Sequence, residues 1–119
     1  MACVHEFGII ECIEEHKQYT YEPEKYKLVS VDDDFLNEIY PKGFGAKMQQ
    51  LDTFVNDTDT PYKDLGYYGI TLIPPSSLGQ FHKIIVSENQ IYHSKELKAL
   101  SDLIEVAMKE NKWLIHYGV

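Results

Sequence analysis

The chain has 119 residues, of which 44% are hydrophobic and 25% charged, and its formal net charge at pH 7 is −8. This length suits one domain spanning residues 1–119 around a single core, and the composition is that of an average globular protein. The 11 basic residues are all lysines, so the chain lacks the arginine fork that grips phosphate or guanine, and its net charge disfavours DNA, RNA and anionic membranes as partners.

Negative charge is concentrated in the first half of the chain. Residues 1–60 contain 13 acidic residues and 5 lysines, whereas residues 61–119 contain 6 of each. No apolar run reaches the roughly 20 residues that cross a bilayer, and no segment resembles a secretion signal, so we expect a cytoplasmic protein. Cys3 and Cys12 flank one predicted strand, which would hold them about 30 Å apart and prevent a disulfide, and we expect both to be buried packing residues.

In chain order, the first half predicts two strands followed by two helices. ACVHEFGIIECI is rich in β-branched and aromatic residues and predicts a strand, EEHKQYTYEPEKY is an exposed connection, and KLVSV is a second strand. The three aspartates that follow are favourable at a helix start, and the short helix FLNEIY ends before Pro41. AKMQQLDTFV predicts a second helix with Met48, Leu51 and Val55 on one side, and NDTDTPYKDLG is a loop by composition.

The second half predicts a strand, two helices and a last strand. GYYGITLI is the strand, PPSSLGQFHKIIVS is a helix that begins at the prolines, and Ser94 caps the amphipathic helix KELKALSDLIEVAMKENK. WLIHYGV alternates and predicts the last strand. The order β-β-α-α-β-α-α-β predicts an α+β domain with a single four-stranded sheet and amphipathic helices packed on it.

A step of an aromatic residue, a glycine and a β-branched residue occurs three times, as Phe7-Gly8-Ile9, Tyr68-Gly69-Ile70 and Tyr117-Gly118-Val119. Glycine inside a strand usually marks a bend or a close approach, and a neighbouring ring can cover the bare backbone. We therefore expect the three steps to line up across the sheet.

No motif identifies a reaction. The five histidines form no metal-binding pair, the aspartate run lacks a phosphate-binding loop, and Ser76 and Ser77 lack a nucleophile elbow. We predict no catalytic residues, no metal and no cofactor; whether the chain is an enzyme stays open, with a non-enzymatic role favoured. An alternative ligand site at one end of the sheet would combine His5, Glu6, Tyr68 and His116, because the strands could bring the two histidines together.

An acidic, tyrosine-bearing surface is the other candidate site. Tyrosine is enriched at protein interfaces, and carboxylates around it would speed the capture of a basic partner. The residues are Tyr19, Tyr21, Glu22, Glu24 and Tyr26 in the long connection, together with Asp32, Asp33 and Asp34. A solvated acidic loop with tyrosines lying back on the domain fits the same pattern equally well.

The blocks HEFGII, YEPEKY, VSVDDD, YYGITLIPP and IHYGV are spread over most of the chain. Together they resemble a family of small bacterial proteins of uncharacterised function. The resemblance implies a single-domain bacterial protein, and it assigns no activity and no residue role.

Two hypotheses follow from these features. The first is a protein-binding protein, specifically an immunity protein that neutralises a basic, nuclease-type toxin domain by occluding its active site, since an acidic inhibitor complements a surface that binds nucleic acid. The second is a small enzyme or ligand-binding domain that uses the His/Glu/Tyr set at the sheet end. The sequence leaves the oligomeric state open.

Overall fold

The computed structural model describes residues 3–119, which form a six-stranded antiparallel sheet and four α-helices. The strands are β1 (Val4–Ile10), β2 (Val29–Asp32), β3 (Asp52–Val55), β4 (Pro61–Lys63), β5 (Ile70–Ile73) and β6 (Trp113–Tyr117). The helices are α1 (Asp33–Ile39), α2 (Phe44–Met48), α3 (Pro75–Tyr92) and α4 (Lys95–Glu110). The strand order is β2-β1-β6-β5-β3-β4, and every neighbouring pair is antiparallel.

The expected α+β class holds, but the prediction of a single four-stranded sheet is wrong. The four predicted strands are β1, β2, β5 and β6, and the structure adds β3 and β4 from segments that were predicted to be helix and loop. The helix predicted over AKMQQLDTFV ends at Met48, and Phe54 instead pairs with Leu72 of β5 and with Pro61 of β4. Residues of β3 are β-branched and aromatic, and pairing with β5 gives them backbone hydrogen bonds and buries their side chains. This stabilisation outweighs the weak helical periodicity of the segment.

The sheet buries both of its faces, and alternate residues of each strand point to opposite sides. On one face, Phe7, Ile73 and Leu114 pack with the helices in the larger hydrophobic cluster. On the other, Leu72 and Ile115 pack with Tyr19 from the connection between β1 and β2. The connection that was expected to be exposed therefore covers the second face of the sheet.

Local signals locate the N-caps of two helices, α1 and α4. The Ser94 hydroxyl accepts a hydrogen bond from the Leu97 amide at 3.2 Å, and the Asp32 carboxylate accepts one from the Phe35 amide at 3.1 Å, as N-caps do. The expectation for the cysteines is wrong, because Cys3 and Cys12 are both exposed and unpaired. None of the helices in residues 3–119 has the length and apolar character needed to cross a membrane.

Of the three aromatic-glycine steps, two meet and one does not. The Gly118 amide donates to the Gly69 carbonyl at 2.8 Å, so the steps at Tyr68 and Tyr117 lie side by side. Gly8 is opposite Ile115 and has Tyr26 against its open side. The glycines thus allow two separate close approaches, and the expected single line across the sheet is wrong.

Candidate functional site

Two histidines from neighbouring strands meet on the helix-covered face of the sheet. In the pairing of β1 with β6, Phe7 lies opposite His116, so His5 reaches the same face as His116 from two positions away. The His5 Nδ1 and His116 Nε2 atoms are 2.8 Å apart, and the two ring planes differ by 10°. His5 is 5% exposed and His116 is 0% exposed, so the pair is buried.

Asp33 extends this pair into a chain of three side chains. It follows β2 and lies in the first turn of α1, where the helix dipole and free amides favour a carboxylate. His5 Nε2 donates to Asp33 Oδ1 at 2.8 Å. The other carboxylate oxygen accepts from the Tyr67 hydroxyl at 2.9 Å and from Asn37 Nδ2 at 3.2 Å. Asp33 therefore joins both histidines to the segment before β5.

The two rings share a single hydrogen bond. His5 Nε2 donates to the Asp33 carboxylate, and the His5 Nδ1 and His116 Nε2 atoms face each other across the 2.8 Å contact. His116 Nδ1 is buried and has no hydrogen-bond partner in the described residues. Burial, and secondarily the neighbouring His5, lowers the pKa of His116 to about 3. His116 is thus held in its neutral form.

A pocket of ≈ 330 Å³ opens beside this chain. It lies between α1 and the segment 64–67, with His5 at its wall. That segment is fastened to the helix-covered face of the sheet, because the Gly66 amide donates to Thr71 Oγ1 at 2.9 Å. The lining residues are His5, Leu36, Asn37, Tyr40, Phe44, Tyr62, Asp64, Leu65, Gly66 and Tyr67. The volume is at the small end of the roughly 300–1,000 Å³ that ligand pockets occupy.

Asp64 supplies a carboxylate in the pocket wall. The residue is 8% exposed, and its side chain accepts from the Tyr40 hydroxyl and from the Leu65 amide. Desolvation is the main influence on this group and raises the pKa of Asp64, while the two hydrogen bonds oppose the shift. A carboxylate that is costly to bury therefore faces a pocket rimmed by tyrosines.

The alternative ligand site from the sequence is assembled only in part. His5 and His116 are brought together, but Glu6 points to the opposite face of the sheet, where its carboxylate accepts from the Tyr21 hydroxyl at 2.9 Å. Tyr68 is 74% exposed and lies outside β5, with its ring against Tyr67. The carboxylate beside His5 is that of Asp33 and not of Glu6, and the tyrosine that contacts it is Tyr67 and not Tyr68. Asn37 also donates to Asp33.

The sequence contained one signal that could have found Asp33. A strand that pairs with β1 and ends at an aspartate run brings those carboxylates next to the start of β1, and His5 is indeed opposite Val31. That step needs the pairing of β1 with β2, which the sequence did not supply. No comparable signal pointed to Tyr67, which lies in the loop before β5. None pointed to Asn37 either, which lies on the exposed side of the short helix α1.

The predicted partner-binding residues lie in two regions, the connection between β1 and β2 and the junction of β2 with α1. Tyr19 is 5% exposed and belongs to the second core, whereas Tyr21 is 60% exposed and packs edge-on against Tyr117. Tyr26 is half-buried beside the same ring. Glu22 and Glu24 lie in the same connection, and Glu22 forms an ion pair with Lys25 at 2.8 Å.

The three predicted aspartates have three different environments. Asp34 is exposed, Asp32 caps α1, and Asp33 is buried beside His5.

The geometry around His5 disfavours proton transfer to or from a ligand. Both ring nitrogens are occupied, one by Asp33 and one by His116, so neither offers a free lone pair to a ligand in the pocket. A metal ion would also need a free ring nitrogen, which His5 does not offer. Residues 3–119 contain no group of three histidine, cysteine or acidic side chains placed to hold a metal ion.

Comparisons with models of protein families, with curated proteins and with solved structures found no match for this chain. The resemblance to a family of small bacterial proteins therefore stays a prediction.

Proposed function

We propose that the chain is a small, cytoplasmic bacterial protein that binds and neutralises a basic protein, specifically as an immunity protein against a nuclease-type toxin domain. The observation that carries this proposal is the pocket beside α1, where exposed tyrosines surround the Asp64 carboxylate. Four of the five tyrosines that are more than about a third exposed, Tyr40, Tyr62, Tyr67 and Tyr68, lie in or next to it. Such rings are the usual anchors of protein interfaces.

The charge near this surface has the sign that a basic partner requires. Asp34 and Glu38 are exposed on α1, the helix that forms one side of the pocket. With a net charge of −8, the chain would attract a basic toxin over about the Debye length of 8–10 Å at physiological salt. An inhibitor bound through this surface would cover the cationic site that such a toxin uses for nucleic acid.

The test has two stages. The tagged protein is first used to capture partners from a lysate of the bacterium that encodes it, at low and at high salt. The captured basic protein is then purified and assayed as a nuclease with increasing amounts of the chain. We expect stoichiometric inhibition; a partner that keeps full activity when saturated with the chain would refute neutralisation.

Charge reversal identifies the surface that is used. Asp34→Lys with Glu38→Lys should slow association with the partner by about tenfold at low salt and have little effect on dissociation. The matched control is Asp102→Lys with Glu105→Lys, which makes the same change of net charge at two exposed positions of α4 in the electrically balanced half of the chain. Equal slowing by both variants would show that net charge alone, and not this surface, steers the partner.

A second candidate is a small ligand-binding domain. The observation that favours it is that Asp33 holds three residues of the pocket wall, His5, Asn37 and Tyr67, in fixed positions. In this case His5→Gln should abolish a ligand-induced thermal shift while the fold is retained. Glu6→Gln, on the opposite face of the sheet, is the matched control. A screen of metabolites that gives no thermal shift with the unmodified protein would remove the basis for this candidate.

A further inference from the structure

The pocket beside α1 has an aromatic rim that suits a cation. Tyr40, Tyr62 and Tyr67 line it and are 39%, 47% and 42% exposed, respectively. The face of an aromatic ring carries partial negative charge, so a cation placed over it is attracted, and more strongly where water is excluded. The rim therefore offers several ring surfaces to one charged group.

The Asp64 carboxylate of this pocket has no lysine of the described residues to neutralise it. Within residues 3–119, the ion pairs of Lys47 with Glu88 and of Lys63 with Asp52 lie elsewhere, and no lysine is within 4.0 Å of a carboxylate oxygen of Asp33 or Asp64. Asp64 nevertheless stays 8% exposed. A buried carboxylate without a cation is costly, and a cation from outside would reduce that cost.

The backbone around Asp64 holds its carboxylate in place. Asp64 has a φ of 77°, a conformation that side-chain-bearing residues rarely adopt. Its amide donates to the Leu51 carbonyl at 3.0 Å, and its carbonyl accepts from Thr53 Oγ1 at 2.7 Å. Strained backbone persists only where its surroundings determine it, and it occurs preferentially at functional sites.

The Asp64 carboxylate retains capacity for a further donor. Its two oxygens offer about four acceptor positions, and the Tyr40 hydroxyl and the Leu65 amide occupy two of them. A planar guanidinium can donate to a carboxylate and stack on a tyrosine ring at the same time, which an ammonium cannot.

We infer that this pocket binds the guanidinium group of an arginine side chain, between the tyrosine rings and the Asp64 carboxylate. The inference rests on the proposed function in that the arginine belongs to the basic partner. A wider groove of ≈ 770 Å³, lined by Phe54 and Trp113, is less suitable. Its charged residues, Asp52 and Lys63, are paired with each other and leave no carboxylate for a cation.

The test uses a small probe, so that it does not require the partner. The isotope-labelled protein is titrated with N-acetyl-arginine amide and, separately, with N-acetyl-citrulline amide, a neutral molecule of nearly the same shape. We expect saturable NMR shifts at the Leu65 and Gly66 amides and at the Asn37 side chain with the arginine probe, with a dissociation constant on the order of millimolar. Equal shifts with both probes, or no shift at these positions with arginine, would overturn the inference.

Variants locate the cation. Asp64→Asn should weaken the arginine probe at least about tenfold by removing a charge-assisted hydrogen bond. Asp52→Asn, which removes an exposed carboxylate from the other groove, should leave the affinity unchanged. Tyr62→Ala at the edge of the sheet should cost about two- to fivefold. Tyr62 also lines the wider groove, so this variant tests the aromatic contact, while the NMR shifts at Leu65 and Gly66 locate the probe; it serves as a second test if Asp64→Asn does not fold. Unchanged affinity in folded Asp64→Asn, or in Tyr62→Ala, would contradict the proposed geometry.

The pocket and the proposed function can fail independently. If a basic partner is captured and inhibited but arginine leaves the pocket amides unmoved, the pocket inference is wrong and the proposed function stands. If arginine binds in the pocket while no basic protein is neutralised, the proposed function fails and the arginine site stands.

Discussion

The buried His116 should make the fold sensitive to acid, and His116→Gln tests this directly. The pKa of His116 is lowered from 6.5 to about 3 in the folded protein, first by burial and then by His5. Between these values the unfolded chain binds a proton that the folded chain does not, so unfolding is favoured as the pH falls. The stability linked to His116 is complete above pH 6.5 and is lost progressively toward pH 3.

The size of the effect follows from the two pKa values. For one group that titrates at 6.5 when unfolded and at about 3 when folded, the free energy of unfolding should fall by about 2 kcal/mol between about pH 7.5 and about pH 5. His116→Gln keeps a side-chain amide that can form a hydrogen bond with His5 Nδ1 but cannot titrate. The loss of packing against Phe7 adds an offset that does not depend on pH.

The assay is urea unfolding of both proteins at several pH values, followed by the fluorescence of Trp113 and by circular dichroism. The informative quantity is the stability of the unmodified protein minus that of the variant, which should decrease by about 2 kcal/mol over this pH range with unchanged m values. The exposed His16, whose hydrogen bond to Asp59 raises its pKa, works in the opposite direction but is common to both proteins. A difference that is constant with pH would refute the assignment of a buried, neutral His116.

Three further predictions concern the packing that supports the site, and urea unfolding measures each of them. Gly118→Ala should destabilise the fold by about 1–3 kcal/mol, because its Cβ would overlap the Tyr67 carbonyl; an unchanged midpoint would refute the close approach. Ile104→Ala in the core face of α4 should cost about 2–5 kcal/mol, whereas Val106→Ala on the exposed side of the same helix should stay within about 0.5 kcal/mol, and equal losses would contradict the orientation of α4. Deletion of residues 115–119 removes most of β6, which lies between β1 and β5, so the truncated chain should show no cooperative transition; a normal transition would disprove the central position of β6.

The long connection between β1 and β2 shows how a tyrosine pattern can have two meanings. Tyr19, Tyr21 and Tyr26 occur in one acidic stretch, yet Tyr19 is buried under the sheet and Tyr21 is exposed. In a loop that covers a sheet face, each side chain is buried or exposed according to the surface beneath it. The spacing of residues along the loop does not indicate where that surface lies. Only the packed structure separates the tyrosines that form the core from those open to a partner.

The sequence by itself determined the parts of this protein that depend on neighbouring residues. The cap at Ser94, the apolar stripe of α4 and the strands β1 and β6 follow from short-range periodicity and local capping signals. Tertiary structure alone decided the strands β3 and β4, the choice of Asp33 over Glu6 as the partner of His5, and the tyrosine-rimmed pocket. These features depend on strand order and register. Strand order places residues that are distant in sequence side by side. Register decides which side chains share a face of the sheet, because a shift by one residue moves every side chain of a strand to the opposite face.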